Sequence, residues 1–127
     1  MEYPGSCHCG AVKFTVDAPE DVEVEGCNCS ICTKSGYLHL IVPKSKFQLL
    51  TGEDVLSAYT FNTGVAKHFF CKVCGIKPFY IPRSNPDGYD VNLRCLDIQP
   101  KSVRAIPFDG LHWEEHAHKL AHKTHEL

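Results

Sequence analysis

Eight cysteines in a chain of 127 residues are the side chains best suited to chemistry, and seven of them fall in three short motifs. Thiolates at C-x-C and C-x-x-C spacing are typical zinc ligands, because a tight turn brings two sulfurs to one ion. The glycine that follows the first and the third motif accepts unusual backbone angles and frees nearby amides to approach sulfur. The motifs are Cys7-His8-Cys9-Gly10, Cys27-Asn28-Cys29-Ser30-Ile31-Cys32 and Cys71-Lys72-Val73-Cys74-Gly75.

An even number of cysteines also permits a disulfide framework of the kind found in small secreted domains. Two features oppose that interpretation. The N-terminal residues, Met1 to Gly5, lack the basic region and the apolar segment of a signal peptide. Disulfide frameworks also tend to spread their cysteines along the chain, because each bridge acts on the entropy of the loop that it closes. The sequence therefore favours a reducing compartment and thiolates on metal, and it predicts a cytoplasmic protein.

The seven clustered thiols divide into one complete zinc site and one incomplete site. The first and third motifs supply the four ligands of a closed, structural zinc that would join the first strand to the middle of the chain: Cys7, Cys9, Cys71 and Cys74. The middle motif supplies only three: Cys27, Cys29 and Cys32. Three protein ligands and one open position are the arrangement expected of a catalytic zinc.

Cys95, the one thiol outside the motifs, leaves an alternative open. As a fourth ligand it would close the zinc site of the middle motif, and both sites would then be structural. An iron–sulfur cluster is a third possibility, which the spacing alone does not favour. The coordination of the middle motif therefore separates an enzyme from a non-enzymatic zinc module that serves a protein partner.

Charge and hydropathy argue against two other classes of function. Lys and Arg number 13 and Asp and Glu 15, which gives a net charge of −2 and no general electrostatic footprint for nucleic acid. No apolar run approaches the roughly 18–20 residues that a membrane-spanning helix needs. A chain of this length is expected to form a single zinc-binding domain, residues 1–127, with a modest core.

Alternating apolar residues and turn signals predict about eight short strands and one C-terminal helix. Residues 12–16 alternate most clearly, and Pro78 within residues 76–81 suggests an edge strand. Asp109 is a candidate cap for the helix, and residues 62–64 form a turn. The other predicted strands cover residues 22–24, 38–42, 46–50, 55–61, 66–70 and 89–93.

The three cysteine motifs, in this order, resemble those of the glutathione-dependent formaldehyde-activating enzyme family. Three further segments, residues 59–63, 79–86 and 95–97, are similar to its centromere protein V-like branch. The resemblance extends from about Ser6 to Trp113. It implies a mainly β, Mss4-like fold of coiled antiparallel sheets. It also implies the same division of the ligands between a structural and a catalytic zinc, two ions per chain.

The resemblance further implies a carbon–sulfur lyase, run in the direction that joins glutathione and formaldehyde into S-(hydroxymethyl)glutathione. The thiol would enter the open position of the middle-motif zinc, where a thiolate attacks the aldehyde far better than a free thiol does. Substrate contacts are predicted at the proline-rich loop, from Tyr80, Arg83 and Asn85. No basic cluster is obvious for the two carboxylates of glutathione, for which only position suggests Arg83, Arg94 and Lys34.

The eight histidines have less specific interpretations. His8, between two predicted ligands, is expected to point outward. His39 and His68 lie in predicted strands and could line the cleft near the second zinc, although ordinary strand positions are the favoured interpretation. The terminal helix would place three histidines on one face, predicted to be solvated, at i, i+4 and i+7: His118, His122 and His125.

Overall fold

The structure is a computed structural model that describes residues 1–61 and 63–124. Within that part the chain forms ten strands, which confirms the mainly β prediction. Asn62, in the predicted turn, and His125, in the predicted histidine face, lie outside the described residues. The strands are β1 (Glu2–Ser6), β2 (Lys13–Asp17), β3 (Asp21–Cys27), β4 (His39–Pro43), β5 (Phe47–Thr51), β6 (Leu56–Tyr59), β7 (Lys67–Cys71), β8 (Phe79–Ile81), β9 (Gly88–Asn92) and β10 (Ser102–Phe108).

The strands form two sheets. A three-stranded sheet has the order β1-β2-β5, and a seven-stranded sheet has the order β10-β3-β4-β9-β8-β7-β6. Neighbouring strands are antiparallel, except that β10 pairs with β3 in parallel, with Ser102 opposite Asp21 and Phe108 opposite Cys27. The end of β10 therefore lies beside the middle cysteine motif.

The core lies between the two sheets and follows from the alternation of apolar side chains. In β2, Phe14 and Val16 are buried while Lys13 is exposed, as a strand with one solvated face requires. In β4, residues 39–42 are all buried because this strand is central and covered on both faces. Buried apolar side chains from both sheets meet in one cluster, which includes Tyr3, Phe14, Val16, Val24, Leu40, Val42 and Val91.

The short helix α1 (Ser30–Ser35) lies inside the middle cysteine motif and contradicts the prediction that only the C-terminus is helical. Six residues are too few to show a helical period in the sequence. The helix ends at Gly36, whose φ of 66° is left-handed, a frequent helix terminus. The turn after Cys29 is therefore helical.

Two further predictions about single residues are wrong. The strand after Pro78 is not at an edge, since β8 lies between β9 and β7. Pro78 itself precedes the strand, and its carbonyl accepts a hydrogen bond from the Asn92 N–H at 3.0 Å, so the ladder does not need the missing proline donor. Asp109 precedes the terminal helix without a side-chain capping bond to its backbone.

The chain ends in a helical segment, residues 110–124, which we call the C-terminal segment. It combines 3₁₀ turns at Gly110–His112 and Ala117–Thr124 with the short helix α2 (Trp113–His116). Asn85 anchors it by donating to the Leu120 carbonyl at 2.8 Å and to Thr124 Oγ1 at 3.1 Å. None of the helices in the described residues is long and apolar enough to cross a membrane.

Candidate metal centres and cavity

The first and third motifs meet in one cluster of four thiols. The sulfurs of this cluster all lie within 4.8 Å of one another: Cys7, Cys9, Cys71 and Cys74. The Sγ atoms are 3.6 Å apart between Cys7 and Cys9 and 3.7 Å apart between Cys9 and Cys71. A tetrahedral zinc with Zn–S bonds of about 2.3 Å needs sulfurs about 3.8 Å apart. The four thiols therefore fit a tetrahedral ion.

The turns that carry these thiols show the predicted glycine geometry. Gly10 and Gly75 have φ angles of 81° and 78°, in the left-handed region that favours glycine. The Val12 N–H donates to Cys7 Sγ at 3.3 Å, and such bonds stabilise thiolate ligands. The cluster connects the two sheets, since Cys7 directly follows β1 in one sheet and Cys71 ends β7 in the other.

The middle motif places its three thiols around the start of α1, but the group of mutually close ligand atoms there consists of Cys27, Cys32 and His39 and does not include Cys29. Cys27 ends β3, Cys29 precedes the helix and Cys32 lies within it. Hydrogen bonds with the thiols of Cys27 and then Cys32 lower the pKa of Cys29 well below that of a free thiol. Hydrogen bonds with the thiols of Cys27 and then Cys29 raise the pKa of Cys32. One thiolate shared among three sulfurs is a donor set suited to a cation.

His39 joins this second cluster. A ring nitrogen of His39 lies within 4.8 Å of the sulfurs of Cys27 and Cys32. Its Nε2 is 3.0 Å from Cys32 Sγ, and its Nδ1 is 2.6 Å from Asp90 Oδ2. The 3.0 Å separation is that of a hydrogen bond and is shorter than the about 3.6 Å between N and S on one tetrahedral zinc. A histidine held by a buried carboxylate is nevertheless the usual form of a metal-binding histidine.

Cys95, the possible fourth ligand, belongs to neither group of mutually close ligand atoms. It is buried in the 3₁₀ turn Leu93–Cys95, and its thiol donates to the Lys77 carbonyl at 3.8 Å. Burial raises the pKa of Cys95 to about 12, which favours the neutral thiol at physiological pH. The residue that the structure places next to the middle motif is therefore His39.

A cavity of about 180 Å³ opens beside the second cluster. Its lining includes Glu25, Cys27, Cys29, Cys32, His39, Phe61, His68, Tyr80, Arg83, Asp90, Phe108, Trp113 and Leu120. One wall is the C-terminal segment, which begins in direct contact with the motif. A Cβ added at Gly110 would collide with Cys27 Sγ and would lie 3.0 Å from Cys29 Cβ. Only glycine fits at that position without displacement of the wall or the motif.

Two of the three predicted substrate contacts line this cavity. Tyr80 is buried, and its hydroxyl lies 3.3 Å from His39 Nδ1. Arg83 also lines the cavity, with its guanidinium 3.7 Å from the centre of the Trp113 ring and paired with the exposed carboxylate of Glu114. The one arginine in the lining is therefore already bound to the C-terminal segment.

The third predicted substrate contact, Asn85, lies outside the cavity lining. Asn85 is 1% exposed and does not line the cavity, because its amide is bound to the C-terminal segment as described above. Lys34 and Arg94 are exposed, and neither lines the cavity. The described lining thus offers few cations for the carboxylates of glutathione.

His68, which is buried and lines the cavity, contacts the half-buried Lys77. His68 Nδ1 is 2.7 Å from Lys77 Nζ, and the His68 ring stacks on Tyr80 and Phe61 at 4.6 and 5.3 Å between centres. Burial and then the charge of Lys77 lower the pKa of His68 to about 4. Burial lowers the pKa of Lys77 to about 8. The imidazole is therefore neutral near pH 7, beside a lysine that still carries its proton.

Sequence reasoning favoured ordinary strand positions for His39 and His68, although it named both as residues that could line the cleft, and both do line the cavity. It missed Asp90 and Lys77, which contact these two histidines. Asp90 gave the best available signal, because it interrupts an apolar run that predicts a buried strand, and a buried carboxylate needs a partner. The three histidines predicted to be unremarkable and described here, His8, His118 and His122, are exposed as expected.

Comparison with known proteins identifies the family. The model for "Glutathione-dependent formaldehyde-activating enzyme" matches residues 2–108. A relative from Halomonas elongata, named as a candidate enzyme of that type, is 33% identical over 82 residues, which cover 58% of this chain and 52% of the relative, so that the chain spans about half its length. A crystal structure of a Rhodobacter sphaeroides protein is 34% identical, with a TM-score of 0.71, and the match covers 84% of this chain and 100% of that chain. The chain belongs to the glutathione-dependent formaldehyde-activating enzyme family.

Proposed function

We propose that the protein is a zinc-dependent enzyme that adds a thiol to formaldehyde, with glutathione as the thiol that the family name indicates. In the reverse direction the reaction is that of a carbon–sulfur lyase. The observation that carries this proposal is the cavity of about 180 Å³ beside the thiols of the middle motif. A cavity next to a cysteine cluster has no purpose in a purely structural zinc site, which is closed.

The two clusters support a content of two zinc ions per chain. The closed cluster of four thiols would hold the structural ion, and its ligands join the two sheets: Cys7, Cys9, Cys71 and Cys74. The catalytic ion would be held by the middle motif: Cys27, Cys29 and Cys32. A zinc ion bound there would supply a positive charge that keeps the substrate thiol deprotonated at neutral pH.

The size of the cavity suggests that it encloses the reacting ends of the two substrates. Sites that enclose drug-sized ligands measure roughly 300–1,000 Å³, more than the 180 Å³ available here. The cysteinyl sulfur of glutathione and the aldehyde would fit inside, with the rest of the tripeptide at the mouth. Arg83 could then exchange Glu114, whose side chain is 77% exposed, for a glutathione carboxylate.

The walls of the cavity would protect the thiol and the aldehyde from water. Phe61, Phe108, Trp113 and Leu120 supply apolar surface around the thiols, and exclusion of water strengthens the electrostatic interactions inside a site. The C-terminal segment carries two of these four side chains. Its attachment through Asn85 and Arg83 therefore belongs to the site as well as to the fold.

A second candidate function is favoured by one observation, the position of His39. If His39 joined the three thiols of the middle motif as a fourth ligand, the sphere would be a closed Cys₃His site. The protein would then be a non-enzymatic zinc module with two structural sites, whose surface serves a protein partner. The resemblance to the centromere protein V-like branch fits either candidate.

One experiment separates the two candidates. NMR exchange spectroscopy measures the rate at which formaldehyde enters and leaves S-(hydroxymethyl)glutathione, with and without the protein containing zinc. The enzyme is expected to accelerate this exchange, and the Cys29→Ser variant to lose the acceleration. Cobalt substitution reports on coordination in parallel, because glutathione should change the visible spectrum of an open site. An unchanged spectrum and an unchanged exchange rate would support the closed module and contradict the enzyme.

A further inference from the structure

We infer that His68 donates its Nε2–H to the aldehyde oxygen, and that Lys77 holds His68 in the tautomer required for this donation. This inference deepens the proposed function and rests on it. It assigns to His68, which lines the same cavity as the thiols, the task of stabilising the negative charge that forms on the aldehyde oxygen when the thiol adds.

The tautomer follows from the partner of His68. A lysine ammonium has three donors and no acceptor, so the nitrogen that faces it must carry the lone pair. Nδ1 of His68 lies 2.7 Å from Lys77 Nζ. The proton of the neutral imidazole is therefore on Nε2, and Nε2–H is a donor.

The position of His68 leaves this donor facing the cavity. Both faces of the ring are covered, by Phe61 and by Tyr80, and the Nδ1 edge is occupied by Lys77. His68 is 5% exposed and lines the cavity. Nε2 has no hydrogen-bond partner among the described residues. It is also absent from the fully covered side-chain atoms that lack a partner, so it keeps some accessible surface. The cavity is the space left for its partner.

Lys77 is placed to maintain this arrangement. Its Nζ lies 3.9 Å from the centre of the Tyr80 ring and 4.7 Å from that of Tyr37, contacts that stabilise a buried ammonium. The two aromatic rings stabilise the positive charge, but a π face is a weaker hydrogen-bond acceptor than an imidazole nitrogen. His68 Nδ1 is therefore its main hydrogen-bond acceptor among the described residues.

The chemical step balances with these groups. The thiolate sulfur forms a bond to the carbonyl carbon, and the electron pair of the C=O π bond moves to oxygen. The oxygen takes the Nε2 proton of His68, while His68 Nδ1 takes a proton from Lys77. Nε2 then recovers a proton from water, which replaces the one that the substrate thiol released on binding, and Nδ1 returns its proton to Lys77, so that the starting tautomer and the ammonium are restored.

The tautomer is tested by ¹⁵N NMR of the histidine-labelled, zinc-containing protein, with His68 assigned from the spectrum of His68→Phe. The expected result is a protonated Nε2 and an unprotonated Nδ1. Lys77→Arg should keep this pattern, since arginine is also only a donor, and Lys77→Met should give an average of the two tautomers. A proton on Nδ1 in the unmodified protein would overturn the inference, whatever the activity.

The catalytic role is tested by two substitutions at His68 in the exchange assay. His68→Phe keeps the stacking and removes the donor, and it should lower kcat by about 10²–10³-fold, the loss typical of one oxyanion donor. His68→Gln can accept from Lys77 through Oε1 and donate through Nε2, so it should lose less. The KM for the thiol should stay unchanged in both, and the exposed His118→Gln serves as the matched control. Zinc content and circular dichroism establish that each variant is folded.

The outcomes distinguish this inference from the function on which it rests. If the unmodified protein accelerates exchange and His68→Phe does so equally well, only the role of His68 is overturned. If the unmodified protein leaves the exchange rate unchanged, the proposed function fails and the catalytic role of His68 fails with it. If His68→Phe does not fold, His68→Gln is compared with His68→Leu instead. Equal exchange rates in these two variants would overturn the inference that His68 donates a hydrogen bond.

Discussion

His39 Nδ1 lies 2.6 Å from Asp90 Oδ2, and both side chains are buried. This contact directs the other ring nitrogen of His39 toward Cys32 Sγ. The register of β4 and β9 places Ile41 opposite Asp90, so the pair is built on two central strands. Asp90 is therefore the residue that orients His39 against the middle motif.

In the proposed enzyme, whose second zinc is held by three thiols, Asp90→Asn should leave the zinc affinity of that site nearly unchanged. In the closed module, where His39 is the fourth ligand, the same change should weaken zinc binding by about 10–100-fold, the usual effect of losing a carboxylate that orients a metal-binding histidine. The first site should be unaffected. Competition with a chromogenic chelator measures both affinities. Asp54→Asn, at an exposed position, is the control and should bind both ions normally. Equal affinity in Asp90→Asn and the control would show that His39 takes no part in metal binding.

Cys71→Ser and Cys29→Ser should differ in their effect on folding. Cys71 is fully buried and connects the sheets through the first cluster, and a structural zinc supplies about 10–16 kcal/mol of binding free energy to folding in small domains. Cys71→Ser should therefore unfold or strongly destabilise the protein. Cys29→Ser, at the half-buried second cluster, should keep the fold and lose one zinc and the thiol exchange.

Circular dichroism melts and metal analysis measure these effects. The unmodified protein should contain two zinc ions per chain. One ion per chain would contradict the division of ligands into two sites. Equal collapse of both variants would indicate that both sites are structural.

Gly110→Ala should disturb the contact between the C-terminal segment and the middle motif. The added methyl group would collide with Cys27 Sγ, and overpacking of this kind costs about 1–3 kcal/mol. Gly26→Ala is the matched control, because a Cβ there meets nothing within 4 Å. The melting temperature and the zinc affinity should both fall in Gly110→Ala and should change much less in Gly26→Ala. No difference between the two would mean that the segment does not press on the motif in solution.

The pair of His68 and Lys77 predicts a loss of stability in acid. The pKa of His68 in the folded protein is about 4, below the usual 6.5. As the pH falls from 6.5 to 4, the unfolded chain binds a proton that the folded chain does not, so the free energy of unfolding decreases. Below pH 4 both states are protonated and this loss is complete. Since part of the site faces solvent, we expect a loss of about 1–2 kcal/mol.

Lys77→Met should raise the pKa of His68 and reduce this loss. The pKa should stay below 6.5, because burial is the larger cause of the shift and remains. NMR titration of the His68 ring proton gives the pKa, and denaturant unfolding at pH 7 and pH 4.5 gives the stability difference. Lys67→Met, at an exposed position one residue before His68, should change neither quantity. An unchanged pKa in Lys77→Met would contradict the contact between the two side chains.

The sequence alone predicted those parts of the structure whose signals are local. Cysteine spacing predicted the thiol pairs within each turn, because a ligand pair on a turn is a short-range feature; the meeting of the first motif with the third depends on the packing of the two sheets. The alternation of Phe14 and Val16 anticipated β2 for the same reason. The resemblance to the family anticipated the mainly β class.

The rest depended on contacts between distant parts of the chain. His39 and Asp90 are 51 positions apart and meet only because β4 and β9 are neighbours. Lys77 reads as an ordinary surface cation until the packing of Tyr37 and Tyr80 covers it. The strand β10 has mostly exposed or half-buried side chains, so it lacks the alternation that marks a strand, and its pairing with β3 comes from topology.

The parallel pairing of β10 with β3 sets an order of assembly during synthesis. The ligands of the first cluster have all been made once residue 74 has left the ribosome, so that cluster can bind its ion early. The cavity beside the middle motif gains its last wall only when residues 102–124 arrive. A nascent chain would thus hold its scaffold together while the three thiols of the middle motif stayed open to solvent. Those thiols would be most vulnerable to oxidation in that interval.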